Sequence, residues 1–367
     1  MSMGESTTLE ERKRRAGQRM FVGVPGPSLD ASTRALIREI QPAGFILFGR
    51  NVVSPEQVLS LNRELASLVR SDAPAFLSVD QEGGRVQRIR EPATRWPAMR
   101  EVAASFDDPT LTEAVSRGLA EELLAMGFNL NFAPVADVNS NPNNPVIGDR
   151  SFGVDPSRVA EHVAAFVRGH QSRGVIACAK HFPGHGDTSV DSHLDLPVVD
   201  KSKEALLDCE WLPFQRAVQE GVGSVMTAHV VFPSIDPSYP ATLSAGVLRD
   251  LLRSRLRYDG VVFSDDMDMK AVAGRWPVEE QVRRATDASV DVFLCCNDTD
   301  NQRETFRALV LDQEANQRAE SNAGASVARV RELRKRFFRD RPAPPSLDRL
   351  ACEAHQRLVE QIQEACA

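Results

Sequence analysis

The chain has 367 residues, of which 42% are hydrophobic and 26% charged, the composition of an ordinary folded globular protein. Its formal net charge of −7 argues against nucleic acid as a partner, because phosphate binding draws its affinity from clustered Lys and Arg. Apolar runs fall short of the ~18 residues of a membrane span, and the N-terminus lacks the apolar core of a signal peptide. We therefore expect no membrane partner, a cytoplasmic location and a monomer.

Eight short apolar runs alternate with amphipathic segments along the chain. Each run is nearly continuously hydrophobic, as strands covered on both faces are, whereas segments such as 55–70 and 156–173 have helical periodicity. This order predicts an α/β protein with a (β/α)8 TIM barrel. A doubly wound open sheet is the alternative, but the GxGxxG sequence expected after its first strand is missing. The predicted strands are 20–24, 44–48, 75–80, 130–134, 175–181, 224–228, 261–265 and 290–295.

The C-terminal part of the sequence differs from this alternating pattern. From about residue 304 onward it is charged and helical, with an interruption at RPAPPS, residues 341–346. We therefore predict a catalytic (β/α)8 barrel over residues 1–303 and a C-terminal helical extension over residues 304–367 that packs on the barrel.

Polar residues end five of the predicted strands. Active sites in barrels of this class lie at the C-terminal ends of the strands and in the loops that follow them. A single polar residue there often only closes a strand, but five strands ending in this way favour a functional site. The residues concerned are Asp80, Asp137, Lys180, His181, Thr227, His229, Ser264, Asp265 and Asp266.

The segment KHFPGHGDTSVDSHLDLP, residues 180–197, is the part of the chain most dense in titrating side chains. Its glycines and prolines do not favour core packing, so we expect a mobile catalytic loop. Its histidines and aspartates could in principle bind zinc together with His229, since imidazole and carboxylate are ordinary ligands. However, the sequence has no HxH or HExxH pair, and the six cysteines lack the paired spacing of a metal or disulfide framework, so we expect no metal.

Lys180 could alternatively form the Schiff base of a barrel aldolase, if burial depressed its pKa. The surrounding KHFPGHG sequence and the lack of a phosphate-binding glycine loop after strand seven argue against that alternative.

Six segments carry a more specific pattern. They are VDQEGGRVQR (79–88), NLNFAPVADVNSNPNNPVIGDRSFG (129–153), AKHFPGHGDTSVDSH (179–193), MTAHVVFPSID (226–236), PATLS (240–244) and FSDDM (263–267). In these segments the chain resembles the glycoside hydrolase family 3 β-N-acetylglucosaminidases of the NagZ type. The resemblance implies a retaining exo-enzyme that removes terminal non-reducing β-linked GlcNAc and needs no cofactor. It further implies a muropeptide substrate, GlcNAc-1,6-anhydro-MurNAc with or without peptide, in peptidoglycan recycling. A broader β-glycosidase of the same family stays open.

The resemblance also assigns the catalytic roles. Asp265 aligns with the family's nucleophile, and neighbouring strand residues point to opposite faces, which favours Asp265 over Asp266. Asp191 and His193 match a dyad in which the histidine is the general acid and base and the aspartate orients it. We expect this dyad to close over bound sugar and to be displaced in the empty enzyme.

The same resemblance assigns residues that hold the sugar through hydrogen bonds to hydroxyl or acetamido oxygens. For Arg88 and Arg150 the alternative is an ion pair with a neighbouring carboxylate such as Asp149. The implied substrate-binding residues are Asp80, Arg88, Arg150, Lys180 and His181.

Overall fold

The computed structural model describes residues 7–105, 108–190, 195–339 and 343–366. Its centre is a closed barrel of parallel strands, in which each strand pairs with the next and the first pairs with the last. Each strand overlaps its predicted run, so the predicted (β/α)8 barrel with additional C-terminal helices is confirmed. The barrel strands are β1 (Met20–Gly23), β2 (Gly44–Leu47), β3 (Phe76–Val79), β4 (Leu130–Asn131), β5 (Ile176–Phe182), β6 (Ser224–Thr227), β7 (Val261–Asp266) and β8 (Val292–Cys295).

Aromatic rings fill the middle of the barrel. Phe263 of β7 packs edge-on against Phe21 and Phe132, with ring centroids 4.8 and 5.3 Å apart, and Phe76 stacks on Phe21 at 5.9 Å. Successive side chains of a strand point to opposite faces, so the residues next to these inward-pointing ones point outward and pack against the surrounding helices. The interior is therefore a solid core, and a cavity can form only at its ends.

Helices surround the barrel, and their ends follow local capping signals. Asp155 and Ser54 each accept a hydrogen bond from a backbone N–H of the helix that they begin, and a proline follows each of them at the first helical position. The helices are Leu9–Gly17, Ala31–Ile40, Pro55–Leu68, Met99–Ser105, Thr110–Ala125, Pro156–Ser172, Lys203–Asp208, Leu212–Gln219, Gly246–Arg255, Lys270–Ala273, Val278–Ala288, Thr299–Ala315, Gln317–Phe338 and Glu353–Cys366, with short 3₁₀ turns at Gly49–Asn51, Gly148–Arg150, Ala241–Leu243 and Leu347–Arg349.

The C-terminal helices cover the barrel in two places. Val330, Leu333 and Phe337 of the helix Gln317–Phe338 join the core inside the barrel, so this helix closes the N-terminal end. The last helix, Glu353–Cys366, packs against the helices Met99–Ser105 and Thr110–Ala125. The boundary expected at residue 303 falls inside the helix Thr299–Ala315, which follows β8 as the outer helix of the eighth unit.

Loops collect at the C-terminal end of the barrel. Two antiparallel ribbons follow β3 and β6, formed by Gln81–Gly83 with Val86–Gln87 and by Val231–Phe232 with Asp236–Pro240. The long connection after β4 returns through the turn Gly148–Arg150. These loops place the polar rim residues around one opening. Within the described residues, each helix is too short or too polar to cross a bilayer.

Candidate active site

A cavity of about 280 Å³ opens at the C-terminal end of the barrel. Its walls come from strands β2 and β5 to β8 and from the segments that follow β2, β3, β4, β5, β7 and β8. All six predicted site residues that the structure describes line this one cavity, although they lie up to 185 positions apart in the chain. They are Asp80, Arg88, Arg150, Lys180, His181 and Asp265.

Charges of alternating sign form a chain across the cavity floor. The ammonium group of Lys180 lies 2.7 Å from Oδ1 of Asp80 and 2.6 Å from Oε1 of Glu82. Glu82 in turn accepts two hydrogen bonds from Arg150, both of 2.8 Å, in the fork geometry favoured by guanidinium and carboxylate. At the other end, Arg88 lies 3.6 Å from Asp80. Each cation thus faces a carboxylate, and the floor is polar with little excess charge.

Burial and pairing act in opposite directions on these groups. Burial favours the neutral forms of Glu82 and Lys180, but the surrounding opposite charges outweigh it, so the pKa of Glu82 is lowered and that of Lys180 is raised. Lys180 therefore stays charged at neutral pH. A Schiff-base lysine needs a depressed pKa and a free amine, so the geometry argues against the aldolase alternative.

Arg88 and Arg150 do form ion pairs with carboxylates, as the alternative considered above expects, but their partners are Asp80 and Glu82 and not Asp149. Asp149 accepts from Arg85 at 2.8 Å and lies on the outer side of the loop, whereas Arg150 pairs with Glu82. The third nitrogen of the Arg150 guanidinium donates to the carbonyl of Val146. Arg150 is thus held rigidly in the cavity wall.

A buried carboxylate fixes the histidines of the cavity. Asp137, at the end of the fourth unit's strand region, lies 2.8 Å from Nδ1 of His181 and accepts the backbone N–H groups of His181 and His185 at 3.2 and 2.7 Å. Burial opposes charge on Asp137, but the two histidines and these hydrogen bonds keep its pKa below the ordinary value. Burial lowers the pKa of His185 to about 4, so this ring is neutral at neutral pH. Because Asp137 holds Nδ1 of His181, Nε2 is the ring nitrogen that this histidine offers to the cavity that it lines.

The two adjacent aspartates of β7 both line the cavity. Val261 and Phe263 point into the barrel, and the alternation places Asp265 on the same side. The pairing register shifts after Phe263, which lets Asp266 reach the cavity as well. Asp266 accepts hydrogen bonds from the N–H groups of Asp268 and Cys296 and from the Asn297 side chain. Alternation alone therefore does not separate the two carboxylates, but Asp266 is used in fixing the next loop.

The predicted dyad, Asp191 and His193, lies outside the described residues. The loop residues that precede this dyad are held in place, because Asn144 donates hydrogen bonds to the carbonyl of His185 and to the hydroxyl of Thr188. At Gly186 a Cβ would lie 1.6 Å from the carbonyl oxygen of Val138. Here glycine serves close packing, whereas the sequence suggested mobility. The described chain resumes at Asp195, which pairs with Arg275 after β7.

Sequence reasoning missed two residues that organise the site. Glu82 bridges two cations, and Asp137 was recognised at the rim but not as the residue that orients His181. Both follow predicted strands by a few positions. The signal that could have identified them is a carboxylate two or three positions after a predicted strand, because in a barrel these positions meet the predicted binding residues at the same rim. Among the described residues, no cluster of three or more His, Cys, Asp or Glu is arranged to hold a metal ion.

Comparison with known proteins agrees with this geometry. Residues 13–333 match the model of the glycosyl hydrolase family 3 N terminal domain. The chain belongs to glycoside hydrolase family 3. The chain is 41% identical to a beta-hexosaminidase of Alkalilimnicola ehrlichii over 283 residues, which are 76% of this chain and 80% of that protein. It is 38% identical to a beta-hexosaminidase of Pseudomonas aeruginosa over 79% of this chain and 86% of that protein.

Solved structures of the family share the whole barrel. A family 3 beta-N-acetylglucosaminidase from Paenibacillus superposes with a TM-score of 0.92 at 40% identity, covering 98% of this chain and 69% of that one. NagZ from Neisseria gonorrhoeae, solved with N-trifluoroacetyl-D-glucosamine, superposes with a TM-score of 0.77 at 30% identity, covering 95% and 98%. The predicted membership among family 3 enzymes of the NagZ type is confirmed, and with it the prediction of a glycoside hydrolase.

Proposed function

We propose that this family 3 enzyme is a retaining exo-β-N-acetylglucosaminidase that removes terminal non-reducing β-linked GlcNAc. One observation carries the proposal. Asp265 shares a single small cavity with a row of paired charges, Asp80, Lys180 and Arg150, and with an oriented imidazole, His181. The names of the related enzymes, beta-hexosaminidase and beta-N-acetylglucosaminidase, support the same activity.

In the proposed reaction, a carboxylate oxygen of Asp265 attacks the anomeric carbon. At the same time the glycosidic bond between that carbon and the leaving oxygen breaks. His193 donates a proton to that oxygen, and Asp191 stabilises the imidazolium form before the transfer. Water then attacks the glycosyl ester, His193 takes the water's proton, and Asp265 is released. Two displacements at one carbon leave the configuration unchanged.

The cavity fits a neutral sugar better than a charged one. The cations on its floor already face carboxylates, so the floor offers directed hydrogen bonds with little excess charge. Asp80 is placed to accept from ring hydroxyls, and Nε2 of His181 faces the same space. Its volume of about 280 Å³ is at the lower limit of ligand pockets, which suits one terminal sugar and hence an exo-enzyme.

We take the natural substrate to be GlcNAc-1,6-anhydro-MurNAc, with or without peptide, released in peptidoglycan recycling in the cytoplasm. Support comes from the match to NagZ over nearly its whole length. A small-molecule carbohydrate is the only partner that this reaction needs. Cell fractionation and muropeptide profiles of a strain lacking the enzyme would test location and pathway together.

The decisive experiment compares aryl β-GlcNAc with aryl β-glucoside and records the anomer of the first-formed product by NMR. We expect turnover of the GlcNAc substrate at least about a hundredfold faster, with β product formed first. A fluorinated substrate analogue should leave its sugar esterified to Asp265 in the peptide digest. Equal turnover of both substrates would favour the broader β-glycosidase, and α product or a label on another side chain would refute the mechanism.

A further inference from the structure

A second concavity, of about 700 Å³, lies at the opposite end of the barrel. It is bordered by Gln18 before β1, by Ala73 and Pro74 before β3, and by the helix Gln317–Phe338. Six of its side chains are cationic and one is a carboxylate, in a chain whose net charge is −7. We call it the basic pocket; its charged residues are Arg14, Arg70, Arg331, Arg334, Lys335, Arg339 and Asp72.

The pocket has a rigid and partly apolar wall. Phe338 packs against Phe76 at the end of the barrel core, with ring centroids 5.2 Å apart. The guanidinium of Arg334 lies 4.9 Å from the Phe76 ring and donates to the carbonyls of Pro74 and Ala43 at 2.9 and 3.2 Å. A ligand would therefore meet a fixed aromatic and aliphatic surface beside its positive charges.

The other cations are accessible to a ligand. Arg70 pairs with Asp72 at 2.8 Å, and Arg14 pairs with Glu11 at 2.9 Å, but in both pairs the arginine is about half exposed. Exposed pairs of this kind contribute little, so a multivalent anion can replace the carboxylates. Arg331 is exposed, and the described residues show no ion-pair partner for it.

We propose that the basic pocket is a second ligand site, which binds a compact organic polyanion with a flat apolar group, the chemistry of a nucleoside polyphosphate. The phosphates lie between Arg14, Arg70 and Arg331, where fork-shaped guanidinium groups can each hold two oxygens. The flat group rests against Phe338. The aromatic core of the barrel separates this site from the catalytic cavity, so it takes a ligand other than the sugar.

Isothermal titration of the full chain tests the proposal with three probes: ATP, inorganic triphosphate and adenosine. We expect saturable one-to-one binding of ATP, weaker binding of triphosphate and the weakest binding of adenosine. The affinity for ATP should fall at least about tenfold when ionic strength rises from 0.05 to 0.5 M, because exposed charges are screened. Absence of saturable ATP binding at low salt overturns the proposal, as does equal binding of ATP and triphosphate.

Matched variants locate the site. Arg331→Gln should weaken ATP binding about tenfold, whereas Arg318→Gln, an exposed arginine on the same helix outside the pocket, should leave it unchanged. Both variants should keep the turnover of aryl β-GlcNAc. Saturating GlcNAc should not displace ATP. If GlcNAc competes, or if the two variants bind ATP alike, the anion is held elsewhere and the proposal is wrong.

Discussion

Each end of the barrel contains a buried carboxylate between two cations. At the catalytic end, Glu82 lies between Lys180 and Arg150. At the closed end, Asp291 accepts from Arg253 at 2.6 Å and from Arg329 at 2.9 Å, and also from the backbone N–H of Val262. The local electrostatics are alike, but the cations of Glu82 line the catalytic cavity, whereas Arg253 and Arg329 border neither that cavity nor the basic pocket.

The difference shows that a buried carboxylate between two cations can either join structural elements or position the side chains of a binding site. Arg253 also donates to the carbonyls of Tyr258 and Gly260, so the Asp291 cluster joins a helix to the start of β7. The cluster of Glu82 joins the loops after β3 and β4 to β5, which are the parts that surround the substrate. We therefore expect substitution of Asp291 to lower the stability of the protein without affecting catalysis. Substitution of Glu82 should lower both stability and catalytic activity.

The largest expected effect comes from removing the proposed nucleophile. Asp265→Asn should lower kcat for aryl β-GlcNAc about 10⁴-fold or more, because an amide cannot form the glycosyl ester. The matched control is Asp72→Asn in the basic pocket, which should retain full activity. Steady-state rates on both variants, with melting curves to show that they are folded, make the comparison. An Asp265→Asn enzyme with a tenth of the native rate would rule out this nucleophile.

The next largest effect tests the proposed acid. His193→Ala should lower kcat/KM about 10²–10⁴-fold on a substrate with a poor leaving group, such as a GlcNAc disaccharide. A dinitrophenyl β-GlcNAc needs little protonation of its leaving oxygen, so its glycosylation step should lose much less. Equal losses on the two substrates would show that His193 is not the acid.

Much of this architecture could be predicted from the sequence, because the barrel follows from apolar runs whose spacing is local. The cavity residues at strand ends, such as Lys180 and Asp265, can be predicted from the sequence for the same reason. The pairing of Glu82 with Arg150 cannot be predicted in this way, because 68 positions separate the two residues and only the closed barrel brings them together. The shift in register after Phe263 was equally hidden, so simple alternation could not describe how both Asp265 and Asp266 reach the cavity.

Glu82→Gln and Asp291→Asn test the comparison directly. Each removes a buried negative charge from between two cations, and each should lower the free energy of unfolding by about 3–5 kcal/mol. Only Glu82→Gln should also lower kcat/KM, by about a hundredfold, because Lys180 and Arg150 lose the group that positions them. Urea denaturation and kinetics on the folded fraction measure the two effects separately.

If Glu82→Gln does not fold, Glu82→Asp keeps the charge and still displaces the cations. Its kcat/KM should fall while its stability loss is smaller than that of Asp291→Asn. A similar kcat/KM loss in the Asp291→Asn enzyme would remove the distinction between the two ends of the barrel.

The smallest expected effect concerns Asp266, the second carboxylate of β7. Burial, together with the charges of Asp268 and Asp265, raises its pKa to about 7 from 3.8. Between these values the folded protein holds a proton that the unfolded chain has lost. The contribution of Asp266 to stability therefore falls as pH rises from about 4 to about 7 and is constant above that.

Asp266→Asn cannot ionise, so the free energy of unfolding of the variant relative to the native enzyme should increase by about 1–3 kcal/mol between pH 4.5 and pH 8. Urea denaturation at the two pH values gives this difference. Asp72→Asn serves as the control, because Arg70 lowers the pKa of the Asp72 carboxyl, which is therefore ionised at both pH values. Comparing the two pH values cancels any change in the free energy of unfolding that the substitution causes independently of pH, such as a weaker hydrogen bond from Asn297. A difference that is the same at both pH values would mean that Asp266 is already ionised at pH 4.5, so that burial and its acidic neighbours do not hold a proton on this carboxyl group.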